Sequence, residues 1–285
     1  MQPCGLRGLR MRPASLSFTL FGDYFRDLNV EVWVGSLIKY LGALGITENA
    51  ARVTFSRMMQ QGWLHSRRVG QKSYYALSSE GKRRIIDGVM RVYDWDVVST
   101  WDRQWQIVCC DLTSIQKDRR ERFRRELQWM GFGQINRTTW ISPHQRFASL
   151  KPMIEEYQIA ADVHVFTGTY EGMLSVLDLV SAAWNLEEIQ RKYEGFINEF
   201  GTKYQKAHQL YVLGQLTEEQ AFVERTLLVH EYRKFLFVDP RLPKELLPDQ
   251  WIGDQARKLF REYHQLLSPL AEKYFYQHLE ILDEA

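Results

Sequence analysis

Apolar positions between residues 33 and 62 recur at three- and four-residue steps, the spacing of helices that bury one side. In EVWVGSLIKYL and the residues after it, Trp33, Leu37, Leu41 and Leu44 fall on one face, and Gly45-Ile46 supplies a short turn. Thr47 then offers a hydroxyl to the free amides of a second helix, TENAARVTFSRMMQQGW, which Gly62 ends after Gln61. Around that helix Ala51, Phe55, Met58 and Gly62 share an inward face, while Asn49, Arg52, Val53, Ser56 and Gln60 share the outward one. Beyond residue 63 the pattern turns strand-like. Leu64 to Val69 and Ser73 to Leu77 read as a hairpin around Gly70-Gln71, with Arg67, Arg68 and Lys72 near its tip.

Helix, turn, helix and basic hairpin, in that order, predict a winged helix-turn-helix. Ser79 is read as the cap of a following helix, EGKRRIIDGVMRVYDW, that leads out of this region toward WDRQW. QWQIVCCDL, a charged helix from about Asp118 to Met130, GQIN, TTWIS, a helix begun by Pro152, and VHVFTG then give the order β-α-β-β-α-β. A ferredoxin-like sandwich fits that order. From about Gly172 the pattern is helical: LDLVSAAWNLEEIQRKYEGFINEF, TEEQAFVERTLLVHEYRKFLFV and WIGDQARKLFREYHQLLSPLAEKYFYQHLEIL, with Pro240, Pro243 and Pro248 marking a break. The fold class expected is therefore α+β multidomain. Residues 1–95 form a winged helix with an N-terminal arm and linker helix, 96–170 a ferredoxin-like middle domain, and 171–285 an all-helical C-terminal domain.

Charge sharpens this division. Over residues 1–93 there are 14 Lys and Arg against 6 Asp and Glu, a surplus of eight, leaving 23 against 29 for the remainder although the whole chain is only +2. The basic first third suits a polyanion, with nucleic acid the expected one. Three cysteines, Cys4 and the adjacent Cys109 and Cys110, make no disulfide framework and fit a reducing cytoplasm. No apolar run approaches the roughly 20 residues that span a bilayer, so a soluble protein without a membrane partner is expected.

The outward face of the second helix carries groove chemistry. Asn and Arg make bidentate bonds to base edges, Ser bonds either way, and Val can touch a thymine methyl. The DNA-contacting set is Thr47, Asn49, Arg52, Val53, Ser56 and Arg57 from the helix and Arg67, Arg68, Lys72 and Ser73 from the hairpin. No phosphate-cradling glycine loop or nucleophile elbow is present, so no catalytic residue, cofactor or metal is assigned. His230 in VHEYRK lacks the second histidine of a zinc motif; with Arg233 it is expected to form a helix-bundle ion pair to Glu224 or Glu231.

Several segments together carry a family resemblance: LFGDYF, EVWVGSLIKYL, QGWLHSRRVGQKSYYALSSEG, WDRQW, ELQWMGFG and LLVHEYRKFLFVDPRLPKELLPDQWIGDQA. With these the chain resembles, over nearly its whole length, the PaaX-type transcriptional repressors of phenylacetic acid degradation. The resemblance implies a winged helix, a middle domain similar to a CRISPR adaptation nuclease, and a helical C-terminal domain. It implies a homodimer on palindromic double-stranded operator DNA, released by an aryl-CoA thioester such as phenylacetyl-CoA. Such an effector needs an apolar slot and cations, for which Trp140, Tyr193, Arg225, His230, Tyr232, Arg233 and Trp251 are chemically suited. The nuclease likeness singles out Asp111, at the end of the first middle-domain strand, as a metal-binding carboxylate. One aspartate is a poor metal site, and Asp111 equally suits a strand end or turn cap. A metal-dependent nuclease and a DNA-bound scaffold without effector remain as alternatives.

Overall fold

In a computed structural model, residues 12–26, 28, 30–93, 100–113 and 115–282 are described. The N-terminal arm expected over the first dozen residues falls almost wholly outside them, as does Cys4. The chain divides into two compact units. The first takes Met1–Trp95, Phe196–Arg233 and Arg257–Ala285; the second takes Asp96–Gly195 and Lys234–Ala256.

The first unit opens with α1 (Pro13–Tyr24), β1 (Val32–Trp33), α2 (Val34–Ala43) and α3 (Glu48–Gln60). The hairpin β2 (Leu64–Val69) and β3 (Lys72–Leu77) and helix α4 (Ser79–Tyr93) follow. Trp33, expected on a helix face, lies instead in β1, where it pairs with Tyr74 of β3. Its helical spacing from Leu37 was accidental, and the helix begins one residue later. The sheet order is β1-β3-β2, all antiparallel. The cap of α4 is Ser78 rather than Ser79: the Ser78 hydroxyl accepts from the Gly81 amide at 3.0 Å, which leaves Ser79 as the first helical residue.

The second unit runs β4 (Trp105–Cys110), α5 (Lys117–Trp129), β5 (Gly133–Gln134), β6 (Thr139–Ser142), α6 (Phe147–Tyr157) and β7 (Val163–Gly168), and its four strands form one antiparallel sheet. Its order is β5-β6-β4-β7. Helix α6 starts five residues before Pro152, which sits inside it. Val108, Phe123, Leu127, Trp140 and Leu150 fill the core beneath this sheet.

The helical run after Gly172 is interrupted where the sequence read it as continuous. Helix α7 (Val176–Ala183) stops at Trp184, whose backbone is extended, and α8 (Leu186–Val212) restarts two residues on. Helix α9 (Glu218–Tyr232) passes into a 3-10 turn at Arg233–Phe237, and α10 (Gly253–His278) closes the helical series. Most of α8, all of α9 and most of α10 belong to the first unit. There Tyr24, Tyr40, Phe222 and Phe275 form a contiguous aromatic cluster, and the Tyr40 hydroxyl donates to the Phe275 carbonyl at 2.7 Å. Residues 279–282 then return to β1. The Trp33 amide donates to the Glu280 carbonyl at 2.8 Å, the Leu282 amide to the Glu31 carbonyl at 2.9 Å, and Ile281 bridges antiparallel to Val32.

Candidate nucleic-acid interface

The turn between α2 and α3 and the break after α3 are the same device used twice. Gly45 has φ 81° and Gly62 φ 73°, left-handed values that glycine reaches without a Cβ clash. At the first, Ile46 donates to Leu41 (3.0 Å) and Gly45 to Gly42 (2.9 Å); at the second, Trp63 donates to Met58 and Gly62 to Met59, both at 2.9 Å. These paired bonds satisfy the last carbonyls of each helix and turn the chain sharply. Thr47 accepts from the Ala50 amide at 3.3 Å and so fixes where α3 begins.

Helix α3 presents two chemically distinct sides. Ala51, Thr54, Phe55 and Met58 are buried, and the Phe55 ring meets Tyr75 edge-on at 5.7 Å. Gly62, expected to pack inward with them, is exposed at the chain reversal. Thr47, Asn49, Arg52, Val53, Ser56 and Arg57 are all exposed. Arg52 is held by Glu48 one turn earlier, Nη2 to Oε1 at 2.8 Å. With side chains 54% and 62% exposed, that pair is screened by water and easily exchanged for another anion.

Strand alternation splits the basic hairpin. Arg68 faces Ser73 across the ladder, and Ser66 faces Tyr75, whose ring reaches Phe55; these side chains share the face toward α3. Arg67 and Lys72, opposite Tyr74 and Val69, occupy the other face. On that face Lys72 is already engaged: its Nζ lies 2.6 Å from Glu280 Oε1 and 4.8 Å from the centre of the Trp33 ring. Tyr74 donates to the same carboxylate oxygen at 3.1 Å. The hydrogen bond from Lys72 holds the Glu280 carboxyl below its ordinary pKa, and Glu280 in turn raises that of Lys72. Arg67 is 3.7 Å from Glu31.

The residues suited to an aryl-CoA effector fall in both units. Trp140 is buried in the second unit's core. In the same unit Tyr193 stacks on Phe235 at 4.2 Å, donates to Asp239, and meets Trp251 edge-on at 5.8 Å. In the first unit Tyr232 stacks on Phe260 at 4.0 Å and Arg233 donates to the Ser15 carbonyl at 3.0 Å. His230 is buried with Nδ1 2.9 Å from the Thr19 hydroxyl. Glu224, expected to pair with His230 or Arg233, instead accepts from the Tyr263 hydroxyl. His230 and Arg233 also reach back to α1, 211 and 218 residues earlier in the chain.

Arg225 is the centre of a charge knot that sequence reading missed. Its guanidinium grips Asp23 through Nε at 3.0 Å and Nη2 at 2.9 Å, and reaches Glu272 at 2.9 Å and Ser268 at 3.2 Å through Nη1. Tyr93 donates to Asp23, and His264 Nε2 lies 3.5 Å from it. Burial alone would push the Asp23 carboxyl up, but Arg225 and His264 outweigh it and hold it well below the carboxylate range. The signal that was available is a lone aspartate in the apolar segment LSFTLFGDYF.

Asp111 is exposed just past β4, and its Oδ1 accepts from the Thr113 amide (3.1 Å) and hydroxyl (2.8 Å), bonds that lower its pKa. Among the described residues, no group of three or more His, Cys, Asp or Glu is placed to hold a metal, and no helix is long and apolar enough to cross a membrane.

Comparison with known proteins matches most of the chain in three pieces. Residues 12–81 match the model of the PaaX-like protein, residues 98–180 that of the PaaX protein central Cas2-like domain, and residues 184–277 that of the PaaX-like protein C-terminal domain. The transcriptional repressor PaaX of Escherichia coli strain K12 is 32% identical over 260 residues, which cover 90% of this chain and 81% of that one. An uncharacterized protein from Mycobacterium tuberculosis shares the fold, with a TM-score of 0.55 at 21% identity over 92% of this chain and 97% of its own.

Proposed function

The chain belongs to the PaaX-like protein family, and from that premise we propose that it is a DNA-binding transcriptional repressor of a phenylacetate-type catabolic operon. The observation that carries this reading is the face of α3. A helix capped by Thr47 and anchored through Phe55 and Met58 projects Asn49, Arg52, Val53 and Ser56 together into solvent. In this reading α2, α3 and the hairpin act as a winged helix-turn-helix. Asn49, Arg52, Val53 and Ser56 read base edges, Thr47, Arg57, Arg68 and Ser73 hold the backbone, and Arg67 and Lys72 reach phosphates once their carboxylate partners yield.

The rest of the reading concerns what surrounds that face. The strand order of the second unit supports a ferredoxin-like arrangement for residues 96–170. The protein acts in the cytoplasm as a homodimer whose two α3 helices meet the half-sites of a palindromic operator. An aryl-CoA thioester, phenylacetyl-CoA foremost, binds the DNA-incompetent state better and so lowers operator occupancy. Because the Asp111 carboxylate is taken up by Thr113, the non-enzymatic role is the one proposed.

The test is fluorescence anisotropy of the protein on DNA from its own promoter region, at fixed salt, titrated with phenylacetyl-CoA and with free CoA. Tight, sequence-selective binding released by the thioester alone is expected. Equal binding to promoter and random DNA overturns the repressor reading, and promoter binding insensitive to the thioester overturns the effector.

A further inference from the structure

Within the first unit a cavity of about 890 Å³ lies against the hairpin face that turns away from α3. Its volume is in the range of sites that take small organic molecules, roughly 300–1,000 Å³. Phe21, Phe25, Val32, Ala76, Leu77 and Leu282 give it an apolar wall. At its rim stand His65 and Arg67, whose side chains are 55% and 64% exposed. Lys82 and one carboxylate, Glu31, complete the charged lining, so the fixed charges are two cations against one anion.

Arg67 and His65 make only long contacts to the carboxylate between them. Glu31 lies 3.7 Å from Arg67 and 4.0 Å from His65, beyond hydrogen-bond reach of either. Neither side chain donates a hydrogen bond among the described residues. A guanidinium fork and an imidazole facing one mouth, above an apolar interior, match an anionic group carried on an apolar body.

We propose that this cavity binds a small organic anion, an apolar body bearing one carboxylate, sulfonate or phosphate. Its body lies against Phe21, Phe25 and Leu282, and its charge is met by Arg67 and His65. Occupancy engages Arg67, a residue of the hairpin proposed to contact DNA, and the wall contributed by Ile281 and Leu282 ties the ligand to the C-terminal segment that bridges to β1. A bound anion therefore competes with DNA phosphate for Arg67. That coupling rests on the repressor reading; the site itself does not.

The experiment uses the full chain and two fluorescent probes of nearly equal apolar body, anionic anilinonaphthalene sulfonate and neutral N-phenyl-1-naphthylamine. The sulfonate is expected to bind saturably and more tightly than the neutral probe. Arg67→Met should bring the two to parity through a loss of about tenfold in sulfonate affinity, the effect of removing one charge-assisted contact. Val69→Trp, at an exposed position on the cavity lining, should abolish binding of both probes with thermal melting unchanged. If Val69→Trp lowers the melting temperature, Ala76→Leu fills the same space with a smaller change. Equal sulfonate affinity in wild type, Arg67→Met and the filled variant overturns the proposal.

Promoter DNA separates this outcome from the parent reading. Sulfonate that weakens DNA binding by the wild type but not by the filled variant supports both site and coupling. Variants that lose probe binding in a protein with no promoter preference keep the site and refute the repressor. Probe binding that leaves promoter affinity unchanged refutes the coupling alone.

Discussion

Two arginines in the first unit make ion pairs of nearly the same length and opposite meaning. Arg52 meets Glu48 at 2.8 Å and Arg225 meets Asp23 at 2.9 Å, yet the Arg52 side chain is 54% exposed and that of Arg225 only 6%. Water screens the first pair, so it adds little to stability and leaves the guanidinium available to a base edge. The second is desolvated on both sides. Its attraction roughly offsets the loss of hydration, but neither partner can be removed without stranding the other. Burial, and not distance, separates a cation that is open to exchange its partner from one that is locked into the fold.

The comparison breaks first at Asp23. Asp23→Ala should destabilise the first unit by about 3–5 kcal/mol, because it leaves Arg225 buried without the one fully buried anion that grips it through two bonds; urea unfolding followed by tryptophan fluorescence measures it. The same carboxylate predicts an acid dependence. Its folded pKa lies below the unfolded value of about 3.9, so its stabilisation is complete above that pH and disappears as pH falls toward the folded value. Wild type should therefore lose stability below about pH 4 more steeply than Asp23→Asn does. A melting temperature that falls equally in both down to pH 2 would assign the acid transition to other groups.

Arg52 should show the reverse profile. Arg52→Ala is expected to cost about 1–3 kcal/mol in operator binding and to relax preference at one base pair, with unfolding scarcely changed. Equal losses on operator and random DNA would place Arg52 on the phosphates. Smaller again is Glu48→Gln, which removes a screened pair and should lower stability by about 0.3–0.5 kcal/mol at low salt. Finest of all is Glu280→Gln. It releases Lys72 and should raise affinity for all DNA modestly while steepening the salt dependence; a flat response would mean that Lys72 stays on Trp33 whatever Glu280 does.

How legible these features were follows from how local they are. Thr47, Phe55 and Gly62 announce α3 because a cap, an apolar face and a stop all act within a few turns. The six elements from β4 to β7 follow from periodicity for the same reason. Pro152 misled because a proline can sit inside a helix as well as begin it, and Ser78 and Ser79 offer equivalent hydroxyls one residue apart. The exposed pair Glu48–Arg52 spans four residues and could be read directly. Asp23 and Arg225 are 202 residues apart, and Lys72 and Glu280 are 208. No local pattern announces such partners. The helices after Gly172 read as a block of their own, yet most of α8, α9 and α10 completes the unit that starts with α1.

That return of the chain orders events in time. Val32 cannot pair with Ile281 until roughly 250 more residues have been made, a wait of about 10–50 s at ordinary rates of translation. Throughout that interval β1 lacks its bridge to Ile281 and Lys72 lacks Glu280, for most of it Asp23 lacks Arg225, and the second unit's segments emerge in between. Closing contacts of such separation is also slow in entropic terms. The hairpin and β1 are encoded early in the message, but their surroundings are completed late in synthesis.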